Sequence, residues 1–183
     1  MIVLGADIST SCTGITVLDS SFSLLEMTHV DFKDCDNLWE KVDKLSQRMV
    51  EIGKKHAVTH FYVEEPVLGF SIGQSSAGTI TLLMKFNYMV SYQVRKELGI
   101  DPVHVIADSA RRTCGIKLQR RKTCGKSHKE QTFEFMTSQL GPLGNMKFPL
   151  TKTGKFKPWV FDEVDSYTIA RAGVILETKQ NSI

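Results

Sequence analysis

The chain opens on MIVLGADISTSCTG, and this stretch restricts the possible folds more than any other. Apolar residues run up to a lone carboxylate, Asp7, and small hydroxyl residues follow as far as Gly14. A short apolar run of this kind, closed by turn-forming residues, reads as a buried strand over residues 2–7. Residues 13–19 (TGITVLD) and 23–31 (SLLEMTHVD) read as two further strands, and their short links predict an antiparallel meander. Asp36 or Asn37 can then cap a helix whose apolar stripe is Leu38, Val42, Leu45, Met49 and Ile52.

A fourth strand at 60–63 ends in Glu64 and Glu65 before Pro66, which stops strand pairing. The loop LGFSIGQSS leads into a long helix over about 75–98, closed by Gly99. That helix is apolar on more than one side (Ile80, Leu82, Leu83, Met84, Phe86, Met89, Val90), which marks it as central or as part of a subunit interface. A short buried strand is expected at 103–106. Helices are expected at 108–114, 128–139 and 161–178. The order predicts one α/β domain over residues 1–183, with a mixed five-stranded sheet of three antiparallel strands plus parallel ones, flanked by helices.

Composition excludes several classes of function. No apolar run approaches the ~18 residues of a membrane span, so no membrane partner is expected. The start lacks the charged region, apolar core and cleavage site of an export signal, which predicts a cytoplasmic protein. Cys12, Cys35, Cys114 and Cys124 are scattered without a CxxC pair, so reduced thiols are expected rather than zinc ligands. The net charge of +3 is small but unevenly spread. Residues 109–129 hold Arg111, Arg112, Lys117, Arg120, Arg121, Lys122, Lys126 and Lys129 and no acid, and Lys147, Lys152, Lys155 and Lys157 follow. A local positive field of this kind suits a polyanion such as nucleic acid.

Four acids stand at element ends: Asp7, Glu64 or Glu65, Asp162 and Asp165. If the first and fourth strands are neighbours, their carboxylates emerge on one rim. Asp162 and Asp165 share a helix face that continues through Ile169, Ala172 and Leu176, so Asp165 points toward the core. Carboxylates placed there require a positive partner. A helix N-terminus supplies part of it, and an oxygen-only ligand set suits Mg²⁺, or Mn²⁺ in its place. Two such ions about 4 Å apart support phosphodiester hydrolysis. The alternative for Asp7 is local: an aspartate that only hydrogen-bonds the backbone of its own turn.

In order along the chain, these residues resemble the RuvC-type Holliday junction resolvases of the ribonuclease H-like superfamily. Ile2 to Asp7 with Ser11, Thr13 and Gly14 resembles the family's first strand and S-x-TG turn. Tyr62-Val63-Glu64 resembles its second acidic strand, which favours Glu64 over Glu65. Gly73-Gln74 with Gly78 resembles the start of its long helix. The run from Ser109-Ala110-Arg111-Arg112 to Gly115 resembles its A-R-x-x-K…G segment, Lys129-x-Gln131 its K-x-Q helix start, and Phe161-Asp162-x-x-Asp165 its terminal D-x-x-D motif. Departures are Ile8-Ser9 in place of Pro-Gly, Ser166 in place of alanine, and longer segments at 117–125 and 141–158. A divergent, phage-encoded member would fit them.

The resemblance implies a homodimer that binds a four-way DNA junction and nicks two strands symmetrically, with helix 75–98 as the dimer face. Asp7, Glu64, Asp162 and Asp165 would hold Mg²⁺, and Lys129, with Lys126 as the nearby alternative, would offset charge on the phosphate. Arg111, Arg112, Lys117, Arg120, Arg121, Lys122 and Lys126 would contact DNA phosphates, and Phe70 would stack on unpaired bases at the branch point. The acids are equally compatible with another ribonuclease H-like nuclease, acting on flaps, other branched DNA or RNA–DNA hybrids.

Overall fold

The computed structural model describes residues 1–66, 76–138 and 141–180. Five strands form one sheet: β1 (Ile2–Asp7), β2 (Cys12–Asp19), β3 (Leu24–Asp31), β4 (His60–Glu64) and β5 (Pro102–Val105), in the order β3-β2-β1-β4-β5. The predicted meander is present, with β2 antiparallel to both β1 and β3. β4 pairs parallel to β1 and β5 parallel to β4. Parallel neighbours need a crossover, and the helices α1 (Leu38–Lys55) and α2 (Ala77–Leu98) supply the two required. Asn37 caps α1, its side chain accepting the Glu40 N–H while Glu40 accepts from Asn37 Nδ2 and the Asp36 N–H. Ser76 caps α2, and Gly99 closes it in the left-handed conformation at φ 70°.

Strand alternation divides the core into two layers. On one face Leu4, Ala6, Phe61 and Val63 pack against Leu45, Met49 and Ile52 of α1 and Phe86, Val90 and Val94 of α2. On the other, Val3 and Tyr62 pack against α6 (Trp159–Gln180). Around α6 lie α3 (Ala107–Thr113), a single helical turn α4 (Arg121–Cys124) and α5 (His128–Thr137). Among the described residues no helix is long and apolar enough to cross a membrane.

Three expectations need correction. The central helix is α6, buried on nearly every side from Val160 to Val174. The long helix α2 is peripheral, with Leu82, Tyr88 and Tyr92 exposed. Small residues decide this: Ala170 lies against Gly5, and Gly173 lies against the Tyr62 ring, so α6 sinks into the sheet where a bulkier helix could not. Second, β5 is an edge strand, so Val103 and the adjoining Ile106 are exposed rather than buried. Third, a helical turn, α4, lies between the helices expected at 108–114 and 128–139. The four cysteines are free, as expected.

A Cβ added at Gly5 would overlap the Ala170 backbone, whereas one at Gly78 meets only Ser76 Oγ at 3.8 Å. Gly5→Ala is therefore expected to destabilise the protein by about 3 kcal/mol in urea titration, the upper range for overpacking. Gly78→Ala is expected to change it by less than about 1 kcal/mol.

Candidate active site

Sheet geometry brings the first two acids together. Asp7 and Glu64 end parallel, adjacent strands, so both side chains leave the sheet at one rim. By alternation Asp7 lies on the same face as Val3, and Glu64 on the same face as Tyr62; both therefore face α6. The Glu64 carbonyl is held from behind by Nδ2 of the buried Asn87, at 3.0 Å.

α6 delivers the other two acids. Its first turns carry Asp162 and Asp165, and they are seated against the sheet by Gly14, the partner of Asp7 in the β1–β2 ladder. A Cβ at Gly14 would overlap the Asp162 carbonyl. Thr16 Oγ1 and Ser166 Oγ lie 2.8 Å apart in the core, and Ser166 Oγ also donates to the Glu163 carbonyl. Ser166 thus forms a polar tie between α6 and β2. Glu163 points to the far side of α6, where it meets His29 Nδ1 at 2.8 Å.

Lys129 occupies the centre of the acids. Its Nζ lies 2.9 Å from Asp162 Oδ1, 3.2 Å from Asp165 Oδ2 and 3.5 Å from Asp7 Oδ2. A capping box formed by Ser127 and Glu130 starts α5 and directs this lysine. Gln131 faces the other way: its Oε1 accepts from Gln119 N at 2.7 Å, and its Nε2 donates to the Gln119 and Lys126 carbonyls. The K-x-Q pattern therefore has two tasks, one residue meeting the acids and the other tethering the basic loop.

The turn after β1 is closed by its hydroxyl side chains. Ser9 Oγ donates to the Cys12 carbonyl, and Thr13 Oγ1 bonds the Ser9 backbone. The hydroxyls close the turn, leaving the Asp7 carboxylate directed at the cluster.

Arg111 has a different setting from the one expected. It is buried, with Nη2 3.1 Å from Asp165 Oδ1 and Nη1 3.2 Å from Asp108 Oδ1. Its guanidinium is engaged in internal ion pairs that tie α3 to Asp165. Sequence spacing gave no sign of this pairing across the fold. Arg112, Lys117 and Arg120 line a cavity of about 410 Å³ that abuts Arg111 and His128. Arg121 and Lys122 are exposed on α4. Lys126 pairs with Glu134 at 2.6 Å, away from the acids. Glu65 accepts from the Tyr88 hydroxyl, which leaves Glu64 as the acid of β4 within the cluster. Phe70 lies outside the described residues.

Electrostatics show the cost of this arrangement. Burial, then Glu64, raises the Asp7 carboxyl well above its ordinary range, although Lys129 opposes the rise. Burial, then Asp165, pushes Glu64 up to about 7. Burial disfavours the Lys129 ammonium, but Asp7, Asp165 and Asp162 together outweigh it and hold the amine above its ordinary range. Burial, with Asp162 alongside, pushes the Cys12 thiol up to about 12, so it stays protonated at the lip of the site.

The donor set fits a hard divalent cation. Four carboxylates face two cations, Lys129 and Arg111, so full ionisation leaves two negative charges unbalanced. Asp165 Oδ2 is buried and lacks an aligned hydrogen bond, although Lys129 is near. Among the described residues no three acidic, histidine or cysteine side chains close into a ready-made metal cage.

The acids carry a stability consequence with a definite sign. Between the ordinary glutamate range and about pH 7 the folded protein binds more protons at Glu64 than the unfolded chain does. Stability contributed by this site should therefore fall as pH rises through that window. Without divalent ions, the urea midpoint is expected to drop between pH 5 and pH 8. Glu64→Gln should shrink that drop.

No protein-family model matches the chain, and no curated protein matches it in sequence. Its fold does have solved counterparts. *Thermus thermophilus* RuvC in complex with Holliday junction substrate superposes with a TM-score of 0.69 at 14% identity, covering 98% of this chain and 96% of that one. A second *Thermus thermophilus* RuvC structure gives 0.66 at 16% identity, over 98% and 97%. The yeast mitochondrial Holliday junction resolvase Ydc2 gives 0.60 at 12% identity, over 98% and 80%. The fold read from the acidic motifs is thus borne out along nearly the whole chain: it is the RuvC-type, ribonuclease H-like fold.

Proposed function

We propose that this protein is a divalent-metal-dependent endonuclease that resolves four-way DNA junctions by paired, symmetric nicks. The observation that carries the reading is the convergence of Asp7, Asp162 and Asp165 on Lys129, with Glu64 beside Asp7, on a fold shared over nearly the whole chain with junction resolvases. Asp7, Glu64, Asp162 and Asp165 would hold Mg²⁺, or Mn²⁺ in its place. Once bound, the ions would supply a nucleophile from water at neutral pH and Lewis-acid stabilisation of the phosphate and leaving oxygen.

The remaining roles belong to the chain itself. Arg111 holds Asp165 in place through its ion pair. Lys129, held among carboxylates in the free protein, is placed to turn to a phosphate oxygen as the substrate approaches and to offset charge developing there. Arg112, Lys117, Arg120, Arg121 and Lys122 face solvent and would position the DNA backbone without reading bases. A junction presents symmetry-related strands, so paired nicks require paired sites. The exposed Leu82, Tyr88 and Tyr92 of α2 offer a face for a second copy.

The test is cleavage with Mg²⁺ of an end-labelled synthetic four-way junction beside linear duplex, flap and RNA–DNA hybrid. Paired nicks in the junction are expected. Asp7→Asn should reduce them by more than about 100-fold while binding persists, beyond the 10–100-fold typical of a group that only supports a metal ligand. Cleavage of hybrid or flap alone would keep the site and change the substrate. Light scattering at micromolar concentration should give a dimer, and Tyr92→Asp should shift it to monomer.

A further inference from the structure

The segment before α6 is an anchored hairpin whose lysines, among the described residues, have no acidic partner. Leu150 and Phe156 form an antiparallel bridge. Thr151 N donates to the Lys155 carbonyl at 2.6 Å, Lys155 N donates to Thr151 Oγ1, and Gly154 turns the tip at φ 76°. Lys157 N donates to the Pro149 carbonyl and closes the base.

Aromatic rings fix this hairpin to the machinery. Phe133 lies one turn beyond Lys129 on α5, and Phe161 directly precedes Asp162. The Phe133 ring meets Phe156 at 4.5 Å, Phe148 at 5.3 Å and Phe161 at 5.4 Å between centroids. Trp159 stacks on His29 at 4.1 Å, and Lys157 Nζ lies over the Trp159 ring. The hairpin is therefore packed against the two helices that carry Lys129 and Asp162.

Its charge has no internal use. Residues 135–161 contain no Asp or Glu, and Lys147, Lys152, Lys155 and Lys157 are all exposed. Among the described residues none of the four has an ion-pair partner. Leu150 and Phe156 stay partly open beside them. Structural lysines on a short hairpin would find acids nearby. A row of lysines without acidic partners next to acids that handle phosphodiesters instead fits more of the same polyanion.

We infer that residues 147–157 form a basic wing that grips the backbone phosphates of the substrate next to the cut strand, through Lys152, Lys155 and Lys157. This rests on the nuclease reading above and extends its DNA footprint to a surface separate from the 109–129 stretch. Wing contacts are electrostatic, so they should appear in the salt dependence of binding.

The experiment measures junction affinity from 50 to 200 mM NaCl at fixed Mg²⁺, in the Asp7→Asn protein so that nothing is cut. Adding Lys152→Ala, Lys155→Ala and Lys157→Ala should make the log–log slope shallower by about 0.9 per contact, between two and three units in all. The three arginine replacements should restore it. Lys54→Ala with Lys96→Ala, on remote helix surfaces, should leave it close to the parent. A slope unchanged by the wing substitutions, or shifted as much by the remote pair, overturns the wing while leaving the nuclease reading intact. If the Asp7→Asn parent binds no DNA at all, the nuclease reading falls and the wing falls with it.

Discussion

The structure depends on holding four carboxylates together, three of them within reach of one ammonium. Carboxylates at the buried end of a sheet repel one another and lose their water, and either effect alone would drive them to bind protons. Lys129 and Arg111 offset part of that cost, Lys129 by lying among Asp7, Asp162 and Asp165, and Arg111 by gripping Asp165 from behind. What remains uncompensated is negative charge. A site with that surplus has a use for divalent cations that an ordinary ion-pair network lacks.

The fold serves this arrangement through close backbone approach. α6 could not bring Asp162 to Asp7 if β1 and β2 carried side chains where they touch it. Gly5 and Gly14 remove them, and Ala170 and Gly173 do the same on the helix. The polar contact of Thr16 with Ser166 lies within this seam, so the helix is fixed in register as well as depth. Stability and chemistry share these contacts, and a substitution in the seam is felt at the acids.

The positive surfaces divide by role. Arg111 is buried and structural, Lys126 is taken up by Glu134, and Lys129 faces inward. Those left for solvent fall into two groups, one around the cavity between α3 and α5 and the other on the hairpin before α6. Both flank the acids through elements joined to them, α3 through Arg111 and the hairpin through Phe133 and Phe161.

The sequence by itself determined most of the elements and narrowed the acids to Asp7, Glu64 or Glu65, Asp162 and Asp165. Residues 2–7 and 60–64 are apolar runs that end in carboxylates, and a run of that kind has few readings other than a buried strand with a polar end. Asp162 and Asp165 are one helical turn apart, a spacing that local periodicity fixes. Pairing across the fold was decided only by tertiary structure. Arg111 meets Asp165 across 54 positions, and Lys129 meets Asp7 across 122. Nothing in the residues near Arg111 distinguishes it from Arg112, which is exposed one position later. For the same reason α6, rather than α2, became the central helix: burial depth follows from how closely two backbones can approach, and that is a property of both surfaces together.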